Sequence, residues 1–123
     1  MKECKYRDCG SAYVKFELPN SQYKHSFKID TGASSTLLPK DEFKNFFPNK
    51  KLESGEERGL QSASGTPMLG YTHKVLLHFN DYNQNKIVDI CFYNGKRALL
   101  GMDMIKKHFR LCFEKDNFFV KLP

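Results

Sequence analysis

The sequence predicts an all-β fold, a small closed β-barrel with one bare-tipped hairpin and one short C-terminal helix. Three observations carry this. Apolar and polar residues alternate with a period of two over much of the chain, the mark of half-buried strands. Clusters of Pro, Asn, Asp, Ser and Gly separate those runs at short intervals. Only residues 102–109 show a clear helical period.

Taken in order, residues 13–18 place Val14, Phe16 and Leu18 opposite Tyr13, Lys15 and Glu17, a strand with one buried face. Pro19-Asn20-Ser21-Gln22 is turn chemistry, and residues 23–29 alternate again, so the pair predicts a hairpin. Thr36-Leu37-Leu38 predicts a short strand. Pro39 before Lys40-Asp41-Glu42 predicts a brief helix, with proline in its first turn and acids after it, ending before Pro48. Residues 49–58 are polar and charged and predict a surface loop. In 60–69 the centre is small and polar, which predicts a hairpin whose tip is free of bulky side chains. Residues 71–79 predict a long strand with Val75, Leu77 and Phe79 on one face, and 80–85 a loop. Residues 86–93 are β-prone and stop at Asn94-Gly95, a sharp turn signal. Ala98-Leu99-Leu100-Gly101 predicts a short apolar strand. The helix follows, with Met102, Ile105 and Phe109 on one face and Lys106 and Lys107 outside. Residues 110–114 and 118–122 predict two closing strands around a turn at 115–117.

A chain of 123 residues fits one domain, and 40% apolar residues with 11 Phe and 6 Tyr suffice for a core. The expected organisation is an N-terminal extension over 1–11, serving as linker or dimer-interface segment, and one domain over 12–123. The 20 Lys and Arg exceed the 14 Asp and Glu, giving a net charge of +6. The lysines are dispersed, the densest pairs being Lys50-Lys51 and Lys106-Lys107, so a solvated surface is expected rather than a nucleic-acid partner. No run reaches the roughly 18 apolar residues that span a membrane, so no membrane partner is expected. The charged N-terminus lacks the apolar stretch of a signal peptide, so the expectation is a cytoplasmic protein or a segment released from a larger precursor. Cys91 and Cys112 lie in apolar strand patterns and read as small core hydrophobes. Cys4 and Cys9 form a C-x4-C pair without two further ligands nearby, so neither a metal nor a cofactor is expected.

Asp30-Thr31-Gly32-Ala33-Ser34 carries the chemistry. It joins a hydrophobic strand (Phe27, Ile29) to another apolar run, which puts a carboxylate on a tight turn at the end of a buried strand. A buried carboxylate is costly without a partner. Aspartate also favours turns for structural reasons, and that reading stays open on these residues alone. Ser34 and Ser64 lack a nucleophile-elbow pattern, and His25, His73, His78 and His108 are scattered, which disfavours a serine mechanism and reads the histidines as surface or strand residues. Strand, glycine turn, apolar run and helix recur weakly around Gly101, without a second Asp-Thr-Gly.

Three motifs together resemble the retropepsin-like aspartic proteases, the single-domain relatives of pepsin found in retroviruses, retrotransposons and some cellular proteins. Phe27-Lys28-Ile29-Asp30-Thr31-Gly32-Ala33-Ser34 is similar to the family's hydrophobic-x-hydrophobic-Asp-Thr-Gly-Ala-Ser signature. Ala63-Ser64-Gly65 falls where the family carries its substrate-binding flap. Leu99-Leu100-Gly101-Met102-Asp103 looks like the second signature, before the C-terminal helix. The resemblance spans residues 12–122. Two departures stand out: Asp103, which leans toward retrotransposon-like or cellular members, and the cysteine-bearing N-terminus, which has no counterpart in the pattern.

The resemblance implies an aspartic endopeptidase of the retropepsin type that hydrolyses extended, hydrophobic polypeptide segments, with Asp30 catalytic. Thr31, Gly32 and Ala33 would form the active-site loop, and Ala63, Ser64 and Gly65 the flap. Alanine at position 33 goes, by family analogy, with a less acidic working range. Two carboxylates are needed, and Asp89 and Asp103 lack the following turn, so the second would be Asp30 of another copy in a homodimer. A non-catalytic dimeric binding or assembly module of the same fold is the alternative.

Overall fold

Alternation in the first two runs produces the hairpin that delivers the chain to Asp30. The computed structural model describes the backbone of residues 2–5, 13–19, 21–62, 64–114 and 117–121, and the side chains of 13–19, 21–62 and 64–111. After β1 (Lys2–Lys5), strands β2 (Tyr13–Glu17) and β3 (Lys24–Ile29) pair antiparallel, with Val14 opposite Phe27 and Phe16 opposite His25. Then come β4 (Leu37–Pro39), α1 (Phe43–Phe46), β5 (Glu56–Gln61), β6 (Pro67–Phe79), β7 (Gln84–Tyr93) and β8 (Leu99–Leu100). Helix α2 (Met102–His108) and strands β9 (Arg110–Glu114) and β10 (Asn117–Lys121) close the chain.

The strand order is β2-β3-β8-β4-β7-β6-β5, and β2 also pairs with β6 through Glu17 and His78. That last pairing joins the two sides of the sheet, so six strands close into a barrel and β5 extends beyond it on the edge of β6. Strands β3 and β4 are consecutive yet not neighbours. Strand β8 lies between them, parallel to β3 and antiparallel to β4. The turn carrying Asp30 therefore bridges across the end of β8. A second, three-stranded antiparallel sheet is ordered β1-β10-β9, so residues 2–5 pair directly with the C-terminal strand.

The barrel is filled by aromatic side chains on the inward positions of the alternating strands. Phe16 stacks on Phe27 with centroids 4.5 Å apart, and Phe92 meets Phe43 edge-on at 5.2 Å. Val14, Leu38, Leu77, Phe79, Ile90 and Leu100 are fully buried beside them. His73 is buried among Phe43, Phe47 and Phe92, with Nε2 2.8 Å from the Leu52 carbonyl, which ties β6 to the turn at Leu52–Ser54. Cys91 is buried as expected, and burial pushes its thiol up from the ordinary range.

Some boundaries differ from the sequence reading. Residues 49–58 are not all loop: a 3₁₀ turn occupies Leu52–Ser54 and β5 begins at Glu56. Backbone pairing of Glu56 with Thr72 and Arg58 with Gly70 holds this charged segment extended, whatever its composition. Pro39 ends β4, beside Tyr93 of β7, rather than opening a helix. A 3₁₀ turn at Lys40–Glu42 follows and leaves only one turn of α-helix. Tyr23 holds this segment, its hydroxyl donating to Glu42 Oε2 at 2.6 Å. The loop 80–85 shrinks to a 3₁₀ turn at Asn80–Tyr82 plus Asn83 at φ 51°, a left-handed position asparagine tolerates. The turn residue Asn20, the residues Lys115 and Asp116, Cys9 and the side chains of Cys4 and Cys112 lie outside the described residues.

Helix α2 opens with Asp103 in its first turn and ends with Lys106, Lys107 and His108, matching the helix dipole at both ends. Partial burial, with Lys86 and Lys107 nearby, lowers the His108 imidazole below its free value of 6.5. A lowered imidazole is neutral in the fold while the unfolded chain binds the proton. Its contribution to stability is therefore present above about pH 6.5 and lost as pH falls through the lowered native value. Thermal melts of wild type and His108→Gln from neutral to mildly acidic pH are expected to shift in favour of the variant on acidification. A pH-independent difference would contradict this.

Candidate active site

Asp30 sits immediately after β3, where its amide donates to the Leu100 carbonyl at 3.0 Å and anchors the turn to β8. The turn then closes on itself: Ala33 N donates to the Asp30 carbonyl at 3.1 Å, and Gly32 N donates to Asp30 Oδ1 at 2.9 Å. A glycine suits position 32, because a Cβ there would lie only 3.2 Å from that carboxylate oxygen. Asp30 is only partly buried within the single chain, and Thr31 is exposed.

Behind the turn lies a hydrogen-bonded brace. Met102 N donates to the Ala33 carbonyl at 2.7 Å and Asp103 N to the Ser34 carbonyl at 3.3 Å, so the first turn of α2 grips the loop. Asp103 returns the contact across 67 residues of sequence, accepting from Thr36 N at 3.1 Å and Thr36 Oγ1 at 2.8 Å. Thr36 Oγ1 accepts in turn from Gly101 N at 3.0 Å, and Thr36 is fully buried. Every polar atom of Thr36 is thus satisfied without water, its carbonyl accepting from Cys91 N at 2.9 Å.

Removing the acceptor tests the brace. Asp103→Ala leaves the buried Thr36 amide and the Thr36 hydroxyl proton without acceptors, with an expected loss of about 1–3 kcal/mol. Asp103→Asn, which keeps one acceptor oxygen, is expected to lose less. Urea denaturation of the two variants measures this ordering, and equal stability to wild type in both would contradict it.

A cleft of about 1400 Å³ opens beside Asp30. Gly32, Ala33 and Ser34 border it on one side, and the β5–β6 hairpin, through Leu60, Ser62, Ser64 and Met68, on the other. The hairpin tip is held by its own bonds: Gly65 N to the Ser62 carbonyl at 2.8 Å, Ser62 N to the Thr66 carbonyl at 3.0 Å, and Ser64 Oγ between the hydroxyls of Ser62 and Thr66. Gly65 adopts φ +82°, which a side chain would strain. The structure thus brings Asp30, Gly32, Ala33 and Ser64 around one cleft, with Gly65 at the neighbouring tip. Ala63 lies outside the described residues. Three further cleft residues, Arg58, Lys96 and Arg97, carry positive charge that the sequence reading left unassigned.

The fold that holds this cleft has a counterpart among solved structures. The crystal structure of a retropepsin-like aspartic protease from Rickettsia conorii aligns with a TM-score of 0.65, covering 98% of this chain and 99% of that one at 21% identity. The chain has a retropepsin-like fold. At that identity the likeness is one of fold. No family model matches the sequence, and no curated protein matches it. The barrel with few short helices, expected from the alternation of residues, is therefore seen both in the strand pairing and in the comparison. None of the described helices is long and apolar enough to cross a membrane.

Proposed function

We propose that the chain is one half of an aspartic endopeptidase, and that Asp30 of two copies forms the catalytic pair across a two-fold axis. The observation that carries this reading is a braced glycine turn on which Asp30 lines a wide cleft together with a hairpin whose tip carries Ser64 and Gly65. One carboxylate alone cannot both activate water and protonate the carbonyl it attacks. Two carboxyls about 3 Å apart share a single proton: the ionised one takes a proton from water, and the protonated one donates to the scissile carbonyl oxygen. Water attacks the carbonyl carbon as the C=O π pair moves to the oxygen that takes the shared proton. The proton taken from water then passes to the leaving nitrogen as the C–N bond breaks, while one hydroxyl of the diol returns its proton to the other carboxylate as C=O reforms, which restores the pair.

The other predicted residues take supporting parts. Gly32 N–H holds Asp30 Oδ1 in place, Thr31 is available to contact the second copy, and Ala33 keeps the floor free of another hydroxyl. The β5–β6 hairpin, with Ala63, Ser64 and Gly65 at its tip, would act as a flap that pairs its backbone with an extended peptide and excludes water. Apolar lining from Leu37, Leu60, Met68 and Leu99 supports a preference for hydrophobic side chains at the cut. The domain would span 12–123, with 1–11 contributing to the linker or dimer interface.

The direct test is incubation of the purified protein with an unstructured polypeptide from about pH 4 to 7, with and without a statine-type transition-state mimic. Cleavage that the mimic blocks is the expected result. A protein that cleaves nothing at any concentration would leave the fold as a binding or assembly module.

A further inference from the structure

Among the described residues lining the cleft, Asp30 is the sole acid, whereas Arg58, Lys96 and Arg97 are all basic. All three are exposed, and none forms an ion pair among the described residues. Arg58 and Leu60, two residues apart and so on one face of β5, both line the cleft, and Arg58 also borders a smaller pocket that carries Glu56, Asp89 and Asp103. Lys96 and Arg97 stand on the loop after β7, which is a built element. The buried Tyr93 clamps it, donating through its hydroxyl to the Arg97 carbonyl at 2.9 Å and accepting from Arg97 N at 3.0 Å. Gly95 packs against the same ring, where a Cβ would lie 2.7 Å from the hydroxyl oxygen. Cations thus line the cleft from two separate elements, together with apolar side chains that include Leu37 and Leu99.

We infer that this cleft selects peptides with acidic side chains flanking an apolar pair, and that Arg58 and Arg97 are the specificity-determining residues. The inference rests on the endopeptidase reading for its register, but the selectivity itself belongs to the cleft. A guanidinium can engage both oxygens of a carboxylate, and its planar fork loses less freedom per hydrogen bond than a flexible ammonium would. Net charge of +6 draws acidic segments toward the chain before they dock. In a symmetric pair the cations recur on both sides of the cut, so acidic residues on either side of the apolar pair are favoured.

The test separates binding from cleavage. Two labelled peptides share an apolar pair and differ only in carrying Glu or Gln at the flanking positions. Their binding is measured by fluorescence anisotropy on the Asp30→Asn protein, and their kcat/KM on wild type. The Glu peptide is expected to bind on the order of tenfold more tightly at low salt. That ratio is expected to shrink as salt shortens the screening length, and in Arg58→Gln and Arg97→Gln. Equal binding of the two peptides, or no binding of the Glu peptide, overturns the inference. So does displacement of both peptides alike by a single-stranded oligonucleotide with no Glu-over-Gln preference, which assigns the cations to nucleic acid. Equal kcat/KM on peptides that wild type cleaves well overturns it and leaves the endopeptidase reading intact. A Glu preference in binding with no cleavage by wild type supports it and removes the endopeptidase reading instead.

Discussion

Asp30→Asn is expected to abolish peptide hydrolysis, lowering kcat by about 10³-fold or more while leaving the fold and the cleft in place. General acid and general base each contribute roughly 10²–10⁴-fold, and one substitution in a symmetric pair removes both. Asparagine matches aspartate in size, and Gly32 N can still donate to its side-chain oxygen as it does to Oδ1 at 2.9 Å. The melting temperature should therefore hold while activity disappears. Transition-state mimics should bind the variant far more weakly than wild type, whereas plain peptides should bind it comparably, because only the former depend on the shared proton. Steady-state kinetics with purified wild type and variant decide this. Retained activity in Asp30→Asn would mean that other groups carry out the hydrolysis.

The second large effect lies behind the active turn. Gly101→Ala places a methyl group against the Ser35 carbonyl and 2.9 Å from Thr36 N. Both are backbone atoms of the loop that crosses β8, and neither can swing aside as a side chain would. The expected loss is roughly 3 kcal/mol, which lowers the melting temperature by roughly 10 °C. Activity should fall further than stability. Gly101 is flanked by Leu100, whose carbonyl holds Asp30 N, and by Met102, whose amide holds the Ala33 carbonyl. Any shift at 101 is therefore passed to the carboxylate, and a displacement of about 1 Å can cost about 10²-fold in rate. Gly59→Ala is the control, since a Cβ there meets nothing within 4 Å. It is expected to leave stability within about 1 kcal/mol. Comparable destabilisation by the two variants would contradict the packing argument.

Much of the barrel could be read from the sequence because its signals are local. Val14, Phe16 and Phe27 alternate with polar neighbours, so their strands declare themselves within a few residues. The turn at Asp30 and the Leu-Leu-Gly run are likewise short and contiguous. What stayed hidden depends on partners far away in the chain. Asp103 stands out in the sequence only as a departure from the family pattern, yet it holds Thr36 from 67 residues away. Insertion of β8 between β3 and β4 explains why Gly101 has no room for a side chain, and nothing near Gly101 in sequence announces that crossing. The charged run from Glu56 to Arg58 reads as loop because its extended form comes from β6 rather than from its own residues. Arg97 owes its place in the cleft to the Tyr93 hydroxyl, a contact that composition cannot reveal.

The central claim is that Asp30 is half of a site completed by a second copy, and mixing tests it most directly. Wild type is combined with an equal amount of Asp30→Asn at fixed total protein, subunits are allowed to exchange, and hydrolysis is measured. Random pairing leaves about one quarter of dimers with two aspartates. The expected activity is therefore about one quarter of that of wild type at the same total concentration. Activity that falls only to about one half, in proportion to the wild-type share, would show that each chain works alone and would contradict the claim.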